Sequence, residues 1–238
     1  VLGEVDVAPD GSCAFECPAN NAVYFQLLDS LGRCVQTMRS WTMVAPGEEA
    51  ACVGCHEDKM QVYPAEKGIA FSEVQRLRPA PGQPPHPLLA RLDKEGLLAH
   101  AANYLGVDAP RSSDPNARTE GFSFVQRIQP ILNAHCVKCH DGTEKCKGRP
   151  DLTAAWDASF KEGSARKFSK AYRSLTSGGA QTARLNWYSN AGRSEMLPPY
   201  AQGSATSRIM QNLKPSHHGV LVSDAEKRLF ACWIDLAI

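Results

Sequence analysis

The sequence predicts a mixed fold, in which a small β-sandwich-like segment at the N-terminus precedes a mainly α-helical, loop-rich region. Three observations support this prediction. Apolar and polar residues alternate along the first 45 residues, apolar stripes at helical spacing mark the chain from residue 121 onward, and 16 prolines and 18 glycines among 238 residues favour long loops. With 43% hydrophobic residues, the chain can bury a sizeable core.

The first region, residues 1–48, is expected to be β structure. "LGEVDVAPDGSCAFECP" alternates apolar and polar residues around the turn signal Pro9-Asp10-Gly11. "AVYFQLLDSLGRCVQTMRSWTMV" contains two strand-like runs that are separated at 29–32. Together these runs predict a fragment of a small sandwich.

The second region, residues 49–120, is predicted to combine loop structure with one helix. "PAPGQPPHP" at 79–87 is a proline-rich linker. "PLLARLDKEGLLAHAANYLG" carries leucine and alanine near helical spacing, and Gly96 is a weak point in the predicted helix.

The third region, residues 121–238, is predicted to begin and end with helices. In "FSFVQRIQPILNAH", Pro130 should kink the helix or start a new one. "SDAEKRLFACWIDLAI" places Ser223 and Glu226 at the spacing of a capping box. The apolar stripes are Phe124, Ile128, Ile131 and Leu132 in the first helix, and Leu229, Phe230, Trp233 and Leu236 in the last.

One short motif occurs twice. "CVGCH" and "CVKCH" both have the C-x-x-C-H pattern, which is the attachment signature of c-type haem. Two thiols at this spacing reach the two vinyl groups of one porphyrin, and the histidine that follows lies under the ring as the proximal iron ligand. The sequence therefore predicts two covalently bound haem c groups. The attachment residues are Cys52, Cys55, Cys136 and Cys139, and the proximal ligands are His56 and His140.

Other uses of paired cysteines explain the motifs less well. The two pairs of a four-cysteine zinc site are commonly about 15–20 residues apart, whereas about 80 residues separate Cys55 from Cys136. Zinc binding also gives no reason for a histidine after both pairs. A thioredoxin-like dithiol would need a βαβ pattern around a single C-x-x-C, and the sequence has none.

Each iron also needs a ligand on its distal side, usually histidine or methionine. For the second haem the candidates are Met196 in "SEMLPPY" and His217 and His218 in "PSHHGV"; a methionine packed on the porphyrin and a histidine in a solvated loop are the ordinary alternatives. For the first haem the candidates are His135, His100, His86 and Met60.

Composition and haem chemistry together predict the surroundings of the protein. Lys and Arg total 26 and Asp and Glu total 25, and this near balance provides no footprint for nucleic acid. No run approaches the roughly 18 apolar residues of a membrane span. Haem c is attached outside the cytoplasmic membrane, so we expect a secreted bacterial protein, periplasmic or extracellular, whose signal peptide is removed or lies outside this sequence.

Four segments together resemble the hydrazine synthase alpha-subunit-like proteins of planctomycetes and their relatives. These are "PANNAVYFQLLDSLGRCVQTMRSWTMVAPGEEAACVGCHEDK", "FVQRIQPILNAHCVKCHDG", "MLPPY" and "ACWIDL". The helices before the second motif and at the C-terminus also resemble those of a class I cytochrome c domain.

The resemblance implies a di-haem c module and a bis-histidine second haem, with His217 as its distal ligand in preference to Met196. In hydrazine synthase itself, the histidine of the first motif helps to bind zinc, and a tyrosine four residues later ligates the iron. Met60 stands at that tyrosine position here. This departure favours ordinary ligation of the first haem by His56.

The primary expectation is therefore an electron-transfer protein with no catalytic residues, which passes electrons between redox partner proteins. One alternative is a haem enzyme subunit whose first haem keeps an open site for small nitrogen or oxygen species. Another is a haem-bearing module of an extracellular multi-subunit or polymeric electron conduit, formed by self-association or within a larger complex.

Overall fold

A computed structural model describes six parts of the chain: residues 1–38, 41–52, 68–80, 122–158, 168–177 and 198–236. Contacts divide the chain into two compact units. The first comprises Val1–Tyr24 and Ser40–Gly121, and the second comprises Phe25–Arg39 and Phe122–Ile238. The domain bounds predicted from the sequence, 1–48, 49–120 and 121–238, stay a prediction. In the structure, Phe25–Arg39 falls within the first of these ranges but belongs to the same compact unit as Phe122–Ile238.

The described parts of the first unit are joined mainly by isolated bridges. Glu4 pairs with Arg78, and Val23 pairs with Thr42. The Arg78 guanidinium also donates two hydrogen bonds of 2.8 Å to the carboxylate of Asp6. A short 3-10 helix occupies Ile69–Ser72. The sandwich-like arrangement predicted for this region stays a prediction.

The second unit begins with a β-hairpin. Strand β1 is Gln26–Leu28 and strand β2 is Cys34–Thr37, and they pair antiparallel. Their connection is 29–33, and it contains the break that the sequence predicts at 29–32 between two strand-like runs. The Asp29 carboxylate accepts hydrogen bonds from two backbone N–H groups of this turn, and the left-handed φ of 75° at Gly32 suits glycine.

Two helices precede the second motif. Helix α1 is Phe124–Arg127, and Ser123 caps it by accepting a hydrogen bond from the Gln126 backbone N–H at 3.3 Å. Helix α2 is Gln129–His135, and Pro130 lies in its first turn. Proline is tolerated there because the first N–H groups of a helix need no intrahelical acceptor. Pro130 therefore accompanies the start of a new helix, as predicted.

The described part of the second unit contains three further helices. Helix α3 is Lys170–Thr176, α4 is Arg208–Asn212 and α5 is Asp224–Asp235. Single 3-10 turns occupy Glu144–Cys146 and Gly203–Ala205. Within the described residues, none of the helices has the length and apolarity that crossing a bilayer requires.

The capping box predicted at the start of α5 is confirmed. The Ser223 hydroxyl accepts from the Glu226 N–H at 3.3 Å, and the Glu226 carboxylate accepts from the Ser223 N–H at 2.8 Å. The buried face differs slightly from the predicted stripe. Phe230 and Trp233 are buried, whereas Leu229 and Leu236 are half-buried. Near the C-terminal end of the helix, other residues occupy the buried face.

Helices α1, α3 and α5 meet at an aromatic cluster. The ring centres of Phe124 and Trp233 are 4.9 Å apart, and those of Phe124 and Tyr172 are 5.3 Å apart. Cys136 and Val137 of the second motif pack against this core. The core consists of Phe124, Ile128, Ile131, Leu132, Leu152, Ala171, Leu175, Ile209, Leu213, Val222, Phe230, Trp233 and Ile234.

Candidate haem centre

The second C-x-x-C-H motif continues directly from the last turn of α2. The Cys136 N–H donates to the Leu132 carbonyl at 2.8 Å, and the N–H groups of Cys139 and His140 both donate to the Cys136 carbonyl at 3.1 Å. The motif therefore winds into a tight turn. Burial, with a smaller contribution from neighbouring Cys139, raises the pKa of Cys136 to about 11, so its side chain is a thiol at neutral pH.

The proximal candidate, His140, is fixed at its ring and at its backbone. Its Nδ1 lies 3.0 Å from the Pro150 carbonyl oxygen, and its own carbonyl accepts from the Leu152 N–H at 2.9 Å. A carbonyl can only accept, so this contact places the proton of a neutral imidazole on Nδ1. The lone pair of Nε2 is then available to a metal.

The loop after His140 is braced at several points. The Cys146 thiol donates to the Cys139 carbonyl at 2.9 Å. Gly142 has a left-handed φ of 74° and lies directly against the Asp151 carboxylate, which leaves no room for a Cβ atom. Asp151 in turn lies 3.2 Å from the Lys170 ammonium. These contacts hold the loop, and with it His140, against the core.

Ionisation of Asp151 is supported by its neighbours. Burial opposes the charged form, but hydrogen bonds from the hydroxyl and backbone N–H of Thr153, followed by Lys170, outweigh it and lower the pKa of Asp151. The two Thr153 bonds measure 2.7 and 3.0 Å. The loop thus contains a compact ionised carboxylate beside the glycine turn.

His217 faces His140 from a separate turn. The two ring centres are 6.3 Å apart and the ring planes make an angle of 25°. The His217 N–H donates to the Lys214 carbonyl at 2.9 Å, and the Gly219 N–H donates to the Pro215 carbonyl at 2.8 Å. This hydrogen-bonded turn joins α4 to the strand-like residues before α5.

The electrostatics around His217 favour its neutral form. Burial makes the largest contribution, and His218, His140 and Arg149 add to it, so the pKa of His217 lies below its ordinary value. A neutral imidazole is the form that binds a metal. Its neighbour His218 is exposed and has a left-handed φ of 52°. The rings of these two adjacent histidines are 5.2 Å apart and nearly perpendicular, at 74°.

Among the candidates for the first haem, His135 belongs to the second unit. Its Nε2 lies 3.1 Å from Oε1 of Glu226, which links the end of α2 to the start of α5. This nitrogen is therefore engaged by a carboxylate, and ligation of the first haem by His135 stays a prediction.

Several predicted site residues lie outside the part of the chain that the structure describes. They are Cys55, His56, Met60, His86, His100 and Met196. Cys52 is described and is exposed. Within the described ranges, no three His, Cys, Asp or Glu side chains assemble into a metal-binding group.

The roles predicted for the second motif and for His217 stay predictions, and the sequence prediction did not include the residues that surround them. No short sequence pattern links the motif to the residues that contact it further along the chain, which are Cys146, Pro150 and Asp151. Gly142, directly after His140-Asp141, was the one available signal, because glycine after a short turn often marks a left-handed residue.

Comparison with known proteins finds similarity to one enzyme subunit. Residues 1–57 match the family of the hydrazine synthase alpha subunit middle domain. Over 205 residues, which is 74% of the chain, the sequence is 28% identical to hydrazine synthase subunit alpha of Kuenenia stuttgartiensis. The matched part is 23% of that protein's length. No solved structure matches the chain significantly. The chain is thus similar to hydrazine synthase alpha subunits, as its motifs predict.

Proposed function

We propose that the chain is the haem-bearing part of an enzyme subunit outside the cytoplasm, with two covalent haem c groups. Its second haem is an electron-transfer centre that lies between His140 and His217. The two C-x-x-C-H motifs support the number of haems, and similarity to a synthase subunit supports an enzyme over a separate electron carrier. Membership of a larger complex is part of the same proposal, because the relative is named as a subunit.

The distance between the rings of His140 and His217 is the main support for the proposed second haem. With metal–nitrogen bonds of about 2 Å, two imidazoles on opposite sides of one metal have ring centres about 6 Å apart. The ring centres here are 6.3 Å apart. The hydrogen bond from Nδ1 of His140 to Pro150 leaves Nε2 as the ligating atom. The donor set and its spacing therefore fit a bis-histidine haem attached at Cys136 and Cys139.

The surrounding fold supports the same assignment. Helix α1, which precedes α2 and the motif, contacts the C-terminal helix α5 at Phe124 and Trp233, and a contact between the first and last helices of the domain is typical of a class I cytochrome c arrangement. A porphyrin attached at Cys136 would lie beside this core, because Cys136 and Val137 already pack on it. We propose a class I cytochrome c-like fold for residues 121–238 on this basis.

When bound, the haem supplies reversible exchange of one electron between ferric and ferrous iron. The chain's contribution would be to hold the two imidazoles that bind the iron and, at His217, to favour the neutral form. Histidine on both sides would lower the potential relative to methionine and histidine, and an outside ligand would have to displace an imidazole before it could bind the iron. The second haem is therefore suited to electron transfer, and binding of a substrate is left to the first.

The first haem is proposed to bind a small nitrogen or oxygen species. Met60 stands where hydrazine synthase has its iron-binding tyrosine, so the synthase reaction itself is not carried over. The same departure favours a second candidate function, a di-haem electron carrier with ordinary ligation at both irons.

The test is His217→Ala in the holoprotein, with His218→Ala as the matched control. Ferric His217→Ala should lose the bis-histidine EPR signal of the second haem and should bind added imidazole there. His218→Ala should match the wild type. A spectrum that is unchanged in His217→Ala and altered in His218→Ala would refute the assignment of His217.

Cyanide and nitric oxide separate the two candidate functions in the wild-type protein. An enzyme subunit should bind one of these ligands at one haem per chain, which is the first haem. Two low-spin haems that bind neither ligand at concentrations that saturate an open haem would instead establish the electron carrier.

A further inference from the structure

We propose that the buried carboxylate of Asp235 is a positioning residue for the segment that presents His217 to the second haem. The inference rests on the proposed ligation by His217. It assigns a role in the haem centre to a side chain at the C-terminal end of α5 and to the hairpin that contacts it.

Asp235 is buried, with only 1% of its surface exposed, and its carboxylate accepts three hydrogen bonds. Two come from Ser204, through the backbone N–H at 2.7 Å and the hydroxyl at 2.6 Å. The third comes from the Cys34 N–H at 2.9 Å. No ion pair of Asp235 with a basic side chain occurs within the described residues. A buried carboxylate without a cation depends on such donors, so Asp235 binds Ser204 and Cys34 in one arrangement.

The segment from Ser204 to His217 is held at several points along its length. The Ser207 hydroxyl donates to the Gly203 carbonyl at 2.8 Å, which closes the turn before α4. In α4, Ile209 is buried in the core, and Leu213 directly after the helix is buried as well. The next residue, Lys214, provides the carbonyl that accepts from the His217 N–H. Each step is fixed by packing or by a hydrogen bond.

The β-hairpin contacts both Asp235 and the residues that precede this segment. The Gln26 side-chain amide donates to the backbone carbonyl of Asp235 at 2.5 Å. Tyr200 lies four residues before Ser204, and its backbone N–H donates to the Val35 carbonyl at 3.1 Å. Asp235 and the hairpin therefore fix the start of the segment whose end carries His217.

The proximal side of the centre uses different contacts. His140 is held by Pro150 and Leu152, and neither of these residues is among the partners of the Asp235 carboxylate. A change at Asp235 should therefore weaken the distal ligand while it leaves thioether attachment and proximal ligation intact. This separation distinguishes a positioning role from general destabilisation.

The experiment is Asp235→Asn in the holoprotein, followed through the bis-histidine EPR signal of the second haem during a cyanide titration. Asparagine has nearly the same size as aspartate, but an NH2 group replaces one of the two acceptor oxygens. That NH2 group would face hydrogen-bond donors, so at least one buried hydrogen bond is lost. We expect cyanide to displace the distal ligand at about a tenfold lower concentration than in the wild type, with unchanged haem content.

Asp224→Asn is the control on the same helix, because the side chain of Asp224 is 96% exposed and pairs only with Lys227 among the described residues. Ser204→Ala serves if Asp235→Asn does not fold. It removes the hydroxyl donor but keeps the backbone N–H, and a smaller shift in the same direction is expected.

Three results would overturn the proposal. The first is an unshifted cyanide titration in a folded variant, Asp235→Asn or Ser204→Ala, while His217→Ala opens the second haem. The second is an equal shift in Asp224→Asn. The third is a loss of haem from the second motif. If His217→Ala itself leaves the EPR signal unchanged, the proposed ligation fails instead, and that outcome is separate from these three.

Discussion

At the scale of single residues, the loop between His140 and Leu152 depends on a close approach. Gly142 and Gly148 both have left-handed backbone, with φ of 74° and 81°. A Cβ atom at Gly142 would strike the Asp151 carboxylate, whereas a Cβ atom at Gly148 would meet nothing within 4 Å. The two glycines therefore form a natural pair of test and control.

Gly142→Ala should destabilise the holoprotein by more than Gly148→Ala. Both variants carry the cost of a left-handed alanine, about 1–2 kcal/mol, but only Gly142→Ala also displaces Asp151. Denaturant unfolding of the two variants against the wild type measures the difference. Equal losses of unfolding free energy would show that the contact with Asp151 contributes nothing to stability.

The carboxylate of Asp151 gives a prediction about pH. Its hydrogen bonds from Thr153 and its contact with Lys170 depress its pKa in the folded state. This stabilisation is therefore present above the unfolded carboxyl pKa of about 4, and is lost as the pH falls through the lower folded value.

Asp151→Asn should consequently lower the free energy of unfolding by about 1 kcal/mol at pH 7 and by less as the pH approaches 3. Urea unfolding of variant and wild type across this range provides the measurement. A difference that stays constant with pH would contradict a role for the ionised carboxylate.

At the scale of elements, helix α5 begins with a reciprocal cap that also contacts α2. Glu226 accepts from Ser223 and lies 3.1 Å from Nε2 of His135, so one carboxylate joins α2 and α5. Hydrogen bonds from the Ser223 hydroxyl, then from its backbone N–H, lower the pKa of Glu226 against a small effect of burial.

Ser223→Ala should destabilise the protein by about 1 kcal/mol, because it removes the oxygen that accepts the Glu226 N–H. Ser223→Thr retains that oxygen and is the matched control. Thermal unfolding of both variants tests the cap: a loss in Ser223→Thr as large as that in Ser223→Ala would mean that the hydroxyl is not the stabilising group.

These elements also show what sequence patterns can and cannot predict. The start of α2 near Pro130 and the cap of α5 were predictable, because both depend on neighbouring residues. The turn at 29–32 was predictable for the same reason. The attachment of the hairpin to Asp235 was not, since Cys34 and Asp235 are about 200 residues apart and no local pattern links them. The apolar stripe of α5 likewise gave no sign that Asp235 is buried.

At the scale of the whole molecule, the two C-x-x-C-H motifs belong to different compact units. Cys52 lies in the first unit, and the motif at 136–140 lies in the second. The second unit is discontinuous, because it recruits Phe25–Arg39 from the N-terminal part of the chain. A break after residue 120, which composition alone suggests, would separate this hairpin from the helices that it contacts.

Similarity to a synthase subunit changes the balance between the proposed functions without deciding the chemistry. The match covers 74% of this chain but only 23% of the relative. The proposed haems and the proposed ligation by His140 and His217 are common to the enzyme and to the carrier. In the proposed enzyme, the reaction would take place at the first haem, near Met60.

Intact-mass measurement of the secreted protein, produced in a host that attaches haem c, tests the central claim most directly. The expected mass is that of the polypeptide plus two haem groups, and the double variant Cys136→Ala/Cys139→Ala should have the mass of one haem fewer. A bare polypeptide, or a double variant that still carries both haems covalently, would contradict it.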